Sequence, residues 1–312
     1  MNYKMLFFAI LFALVAPAAR APGSPSEAPY WLIYEKGILE MDQGEYGKAL
    51  HLFMQALEQK RIYPEAELAI GDIFKAQGEI PIAEKQYLKA YDQKDNFEVP
   101  DCKYIALYRL VRLYKEQEEY LKWEQTLFKV LKEDKAYYSD RFGRLYDTFL
   151  RVYTERGLNR LLVLYRLEEK HTIYAHGELG EHYNREYVQS RDKTKRGELA
   201  ESAMVHYLFA VVTLLSEVIE ELRFWDPEYR FTDLPSLLRS TARREALYDY
   251  LIQTDIFKYL YYLGVATYAA GYEERASDIW SILKDEQQAG RYRNLAREQL
   301  TDPRVSPLYY ID

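Results

Sequence analysis

The chain has 312 residues, 48% of them hydrophobic and 29% charged, with a formal net charge of −7. That balance excludes a disordered polar chain and a membrane-embedded one. The acidic charge also speaks against a nucleic-acid partner, because a phosphate backbone would be repelled and no long Lys/Arg stripe offsets it. Tyrosine is over-used, at 31 residues, and its large ring with a polar tip suits both helix packing and a wet binding surface.

Residues 1–21 have the order of a signal peptide: Lys4, the apolar run Leu6 to Ala16, then small residues in Ala16-Pro17-Ala18 and Ala19-Arg20-Ala21. Cleavage after Ala18 is favoured over Ala21, since Pro22 lacks the backbone N–H of an ordinary new N-terminus. The apolar run is shorter than the ~20 residues a spanning helix needs, which weighs against a retained anchor. Export to the periplasm or the medium is the expected consequence. Residues 22–29, PGSPSEAP, form a linker. The lone Cys102 cannot form an intramolecular disulfide, and nothing beside it marks a reactive thiol.

From Tyr30 the chain repeats itself. Gly37, Gly44, Glu45, Ala49, Phe53 and Ala56 stand 34 residues before Gly71, Gly78, Glu79, Ala83, Tyr87 and Ala90. Each unit predicts two antiparallel helices: a glycine on the first lets a small residue on the second approach, and an aromatic fills the space between units. Such a unit cannot bury its own apolar face and must stack. The clear units are 30–64, 65–98 and 102–134, the third displaced by 40 residues, with Glu118–Glu119–Tyr120 in place of Gly78–Glu79–Ile80 and with Val111 and Trp123 at two small positions. Helix crossing is expected to be wider there.

Beyond Lys135 the pattern weakens. Residues 137–222 predict degenerate helix pairs, Ser139 to Arg156 with Leu158 to Lys170 around Gly157, then Thr172 to Ser190 with Glu198 to Leu222. The run Ala203 to Ile219 is apolar but carries His206, Thr213, Ser216 and Glu217, which favours a buried helix over a membrane span. Residues 223–240 interrupt the helical rhythm with Pro227 and Pro235 and carry Phe224, Trp225, Tyr229 and Phe231, either packed over an exposed edge or forming a docking loop. The pattern returns at 256–284 through Gly264, Gly271, Ala276, Trp280 and Leu283. A helix over 288–300 follows as a polar cap presenting Arg291, Arg293, Arg297 and Glu298 to water.

A 34-residue period with this residue set resembles the tetratricopeptide repeat family. The resemblance implies an all-α, right-handed superhelical solenoid of helix pairs, and a concave groove lined by the first helix of each unit at i, i+3, i+7 and i+10. Transferred to this chain, that spacing selects Trp31, Tyr34, Ile38 and Met41, then Glu65, Leu68, Asp72 and Lys75. It continues with Ile105, Tyr108, Arg112 and Lys115, and with Arg144, Asp147, Arg151 and Thr154. Tyr34, Ile38, Leu68, Asp72, Lys75, Tyr108, Arg112, Lys115 and Arg151 are the partner-binding candidates. The groove would grade from apolar to basic, which suits a peptide or helix with an apolar end and an acidic end. Chaperone-binding members hold a C-terminal carboxylate with a Lys/Asn clamp, but Leu68 and Asp72 stand at the matching places.

No catalytic set is found: there is no phosphate-binding glycine loop, nucleophile elbow or HExxH pair. His171, His176 and His182 lie near Glu178 and Glu181, but helical geometry turns His176 about 140° from the other two, and no metal or cofactor is expected. These residues point to a non-enzymatic interaction or assembly module that recruits another exported or envelope protein. The alternative is a ligand-binding component of an envelope solute transport system, with an aromatic-lined pocket for a small molecule.

Overall fold

The computed structural model describes residues 28–133 and 140–305. The signal segment, and all of the linker before Ala28, lie outside the described residues. Among the described residues the secondary structure is helical throughout, with fourteen α-helices and no strand. The described residues divide into two compact units, the first ending at Arg61 and the second beginning at Ile62.

The first unit holds one helical hairpin, α1 (Tyr30–Asp42) and α2 (Tyr46–Gln59). Phe53 of α2 is fully buried and lies over Gly37, where a Cβ would come within 2.5 Å of the ring. Glycine is needed at that point because any side chain would push the helices apart.

The second unit opens with two more hairpins, α3 (Pro64–Ala76) with α4 (Ile80–Asp92) and α5 (Cys102–Glu116) with α6 (Tyr120–Glu133). Pro64 sits in the first turn of α3, followed by Glu65 and Glu67, and Lys75 closes the last turn. A helix tolerates proline only at that end, and these charges complement its dipole. A kinked helix, α7 (Asp140–Leu164), comes next; it is broken at Gly157, whose φ of 78° and ψ of 175° leave the helical region. The chain then forms α8 (Ile173–Gln189) and the 33-residue α9 (Lys193–Trp225), which Asp192 caps by accepting from the N–H groups of Thr194 and Lys195. Two short helices, α10 (Leu234–Thr241) and α11 (Glu245–Gln253), precede the final hairpin, α12 (Ile256–Ala269) with α13 (Glu273–Asp285), and the closing α14 (Arg291–Thr301).

Four of these hairpins share one turn. Gly44, Gly78 and Gly271 have φ of 79°, 81° and 89°, and Glu118 takes the same left-handed place at 58°. The next residue's N–H reaches back five residues in every case: Glu45 to Glu40, Glu79 to Phe74, Glu119 to Tyr114 and Tyr272 to Thr267, at 2.9–3.0 Å. This is the closure that satisfies the last carbonyls of a helix. Left-handed backbone costs a non-glycine residue roughly 1–2 kcal/mol, so the third turn holds strain at Glu118 that the others avoid.

The seat between helices also recurs. Gly37 faces Phe53, Gly71 faces Tyr87 and Gly264 faces Trp280, always sixteen residues apart. In the third unit the corresponding pair is Val111 and Leu127, both buried. A larger residue on the first helix is matched there by a smaller one on the second, which keeps the volume of the pair roughly constant.

The second unit has its main core around α9. That helix packs against α8 on one side and α12 on another, and its residues from Ala203 to Ser216 are buried. Gly177 and Gly180 of α8 bring α8 close to Tyr259 and Tyr207. An 18-residue window of α9 has mean hydropathy 1.7, long and apolar enough to cross a membrane, yet 89% of that window is enclosed by the protein's own helices. A helix apolar on all sides is one buried on all sides.

Glu133 ties the end of α6 to its neighbours by accepting from Tyr91 Oη at 2.6 Å, from Lys103 Nζ at 3.0 Å and from Lys94. Partial burial alone would raise its pKa, but these donors outweigh that and hold it down to about 2.

The expected interruption at 223–240 is partly helical. Helix α9 continues through Phe224 and Trp225 and stops just before Pro227, and Pro235 lies in the first turn of α10. Phe231, Leu234 and Leu237 join the core, while Phe224 and Trp225 stay exposed. In α14, Arg291, Arg297 and Glu298 face water as expected. Arg293 instead is half-buried and donates to the carbonyl of Lys284 at 3.1 Å, satisfying the end of α13.

Candidate functional site

The first-helix faces selected by the repeat spacing fare differently from one helix to the next. On α1, Trp31 is 51% exposed, and Tyr34, Ile38 and Met41 are half-buried, Tyr34 with its ring 5.5 Å from that of Phe53. This face keeps its apolar and aromatic character.

On α3 the chain uses most of its candidates for itself. Leu68 is buried in the core shared by α3 to α6. Asp72 receives both forks of Arg109, at 2.6 and 2.5 Å, and the hydroxyl of Tyr87 at 2.8 Å. That bidentate pair carries geometric specificity as well as charge, and it clamps α3 and α4 to α5. Glu65 accepts from the backbone N–H of Glu98 at 2.7 Å, and Lys75 pairs with Glu116 at 2.8 Å. Lys75 is itself mostly covered, but its partner Glu116 is half exposed.

On α5, part of the expected groove is covered by a later stretch of the same chain. Tyr108 donates to the carbonyl of His171 and meets Tyr174 edge-on at 5.4 Å. Burial pushes its phenol pKa well up. Lys115 pairs with Glu178 at 2.7 Å. The residues that cover α5 come from the short 3-10 turn Lys170–Thr172 and the start of α8. Arg112 and Ile105, seven residues apart on one face, remain exposed. On α7, Asp147 and Arg151 are exposed, and Thr154 donates to the carbonyl of Leu150 at 3.0 Å. The side chain of Arg144 lies outside the described residues.

The three histidines go to three different partners. His171 reaches Asp101 at 3.0 Å and stacks on Tyr104 with centroids 4.5 Å apart. His182 lies 3.8 Å from Glu124 and meets Trp123 edge-on. His176 is buried with Nδ1 2.9 Å from Nδ1 of His206, so one ring donates and the other accepts. Burial lowers the pKa of both, that of His206 to about 3, and the neighbouring ring lowers His176 further. Both are neutral at pH 7, and their role is to join α8 to α9. Among the described residues no group of three or more His, Cys, Asp and Glu side chains is arranged to hold a metal.

A second surface was only partly visible in the sequence. Glu217, Val218, Glu221 and Trp225 on α9 face Arg244, Glu245, Ala246, Leu247 and Tyr250 across an open cleft of about 470 Å³. Tyr250 donates to Glu217, and Trp225 Nε1 donates to Glu221 at 2.7 Å. Phe224, 74% exposed, stands edge-on to Trp225 with centroids 5.4 Å apart. An adjoining cleft of about 340 Å³ shares Arg244 and adds Asp226, Tyr229, Ser240 and Arg243. The aromatic content of 223–240 signalled this surface; the acidic wall did not show, because its residues lie on a helix that reads as core.

No protein-family model matches the sequence. The chain is similar to a protein of Borreliella burgdorferi, 24% identical over 313 aligned residues that cover 91% of this chain and 92% of the relative. It is also similar to a protein of Treponema pallidum, 24% identical over 253 residues; that alignment covers 80% of this chain and 64% of the treponemal protein's length. Both relatives are described as uncharacterized proteins, so the similarity runs through most of the chain without attaching an activity to it.

Proposed function

We propose that this chain is a non-enzymatic interaction or assembly module of tetratricopeptide type, coiled as a right-handed superhelix and acting outside the cytoplasm on another exported or envelope protein. The observation that carries the reading is the hairpin turn built four times, with the same glycine-and-aromatic seat between the helices in three of those hairpins. Repeated helix pairs of this kind spend their glycines and small residues on stacking and leave first-helix positions for recognition. The signal-like order of Lys4 and the run Leu6 to Ala16 supports export.

The recognition surface is narrower than the repeat spacing implies. In the second unit, Ile105 and Arg112 on α5 and Asp147 and Arg151 on α7 are the exposed members, with Lys75 and Lys115 held in ion pairs. Glu116 is half exposed, so its pair with Lys75 is of the kind worth about 0–1 kcal/mol, and a partner's acidic group can displace it at little cost. An acidic, partly apolar peptide or helix fits this set.

The test is charge reversal. The double variant Arg112→Glu, Arg151→Glu should lose co-purification of a specific envelope partner while its helical circular dichroism stays unchanged. Undiminished co-purification by the double variant would remove α5 and α7 from the recognition surface.

A further inference from the structure

Glu217, Glu221 and Trp225 lie four residues apart on α9 and so share one face at its end. Their positions are fixed from two sides. Trp225 gives its only polar hydrogen to Glu221 at 2.7 Å, which leaves the indole face as the surface it offers outward, and it is 59% exposed. Tyr250 on α11 donates to one oxygen of Glu217, leaving the other oxygen as an acceptor. The cleft between α9 and α11 therefore combines an aromatic face with two preset carboxylates, and Glu245 adds a third against the single positive charge of Arg244.

Aromatic faces and carboxylates side by side select one chemistry, a cation. The ring quadrupole attracts an ammonium or guanidinium group, and the carboxylates accept its hydrogens. A volume of about 470 Å³ holds one long side chain and is too small for a helix. Lysine and arginine bring a methylene stem that lies along apolar surface while the charged head reaches a polar group. Phe224, exposed beside Trp225, is an apolar shelf for the residues flanking that side chain, and a free amine would leave it uncovered. We infer that the cleft binds the side-chain cation of a lysine- or arginine-bearing peptide segment of a partner protein, held between Trp225 and the carboxylates of Glu217 and Glu221. Arg244, which also lines the cleft, disfavours a second cation there.

Titration calorimetry on the full chain tests this with three probes: a capped pentapeptide Gly-Leu-Lys-Leu-Gly, its glutamate analogue Gly-Leu-Glu-Leu-Gly, and cadaverine. The lysine peptide should bind saturably, weaken as salt is raised, and lose about tenfold or more in affinity in Glu221→Gln and in Trp225→Ala. Trp225→Tyr, which keeps a ring, should bind within a few-fold of the parent, and this guards against a local rearrangement in Trp225→Ala. The glutamate peptide should not bind. No saturable heat with the lysine peptide would overturn the proposal, as would equal affinity in Glu221→Gln and Trp225→Ala. Cadaverine binding as tightly as the peptide would overturn the assignment to a protein segment. Every variant here lies in the cleft, so the outcome is separate from that of the α5 face.

Discussion

Replacing Gly264 with alanine is expected to destabilise the fold by about 1–2 kcal/mol, and the same replacement should become neutral or mildly stabilising once Trp280 is leucine. The argument is steric. A Cβ at Gly264 would run into Nε1 of Trp280 and lie 2.9 and 3.0 Å from Cδ1 and Cε2. The indole is 1% exposed and has no room to give. Overpacking of this kind costs typically 1–3 kcal/mol, against which alanine returns up to about 1 kcal/mol of helix propensity.

Trp280→Leu by itself creates a void and should cost about 2–4 kcal/mol. It abandons no hydrogen bond seen among the described residues, where the buried Nε1–H of Trp280 has no acceptor. In that background the alanine methyl enters space the ring has left. Urea denaturation of the four proteins then gives a coupling energy of about 2 kcal/mol. Equal costs of Gly264→Ala in both backgrounds would mean that glycine is not there for the ring. The same logic extends to Gly37 with Phe53 and Gly71 with Tyr87, so one cycle bears on the device that builds every closely packed repeat.

Val212→Glu on α9 should have a larger effect, loss of the folded state under ordinary conditions. Val212 is fully buried among residues that are themselves buried. An unpaired carboxylate there costs several kcal/mol, either as a buried charge or through the upward pKa shift that neutralises it. Typical total stability is only about 5–15 kcal/mol. The contrasting change on the same helix, Glu201→Lys, lies on an exposed position and should move stability by no more than about 0.5 kcal/mol. Thermal unfolding followed by circular dichroism separates the two outcomes. A cooperative, parent-like transition in Val212→Glu would contradict the placement of α9 as the hub of the second unit.

What the sequence made legible follows from what periodicity can carry. The hairpins at 30–98 and 256–285 stand out because a turn glycine and an inter-helix glycine recur at fixed offsets, and both demands are local. Gly157 divides α7 where a helix break was expected, for the same reason. The six extra residues before α5 were visible as a shift of the pattern from 34 to 40.

Contacts made by residues far apart in the chain leave no such trace. Nothing in residues 102–116 announces that Lys170–Thr172 and α8 will cover Tyr108 and Lys115, which lie 63 residues from their partners His171 and Glu178. Asp72 reads as a surface acid until Arg109, 37 residues on, supplies a bidentate partner. The groove inferred from spacing thus mixed true surface, such as Arg112, with residues like Leu68 that the core absorbs. In the interval 223–240, Pro235 reads as a breaker in the sequence, although proline in a first turn starts a helix as readily as it stops one.

The binding reading rests on α5 presenting a recognition surface, and site-specific photocrosslinking tests that most directly. A benzophenone side chain is placed at position 112 and, as a control, at Lys129, which is exposed on the second helix of the same hairpin. Both proteins are irradiated in the native envelope fraction. The account predicts a discrete heavier adduct from position 112, carrying one envelope protein identifiable by mass spectrometry, and none from position 129. No adduct from position 112, or the same adducts from both positions, would contradict it.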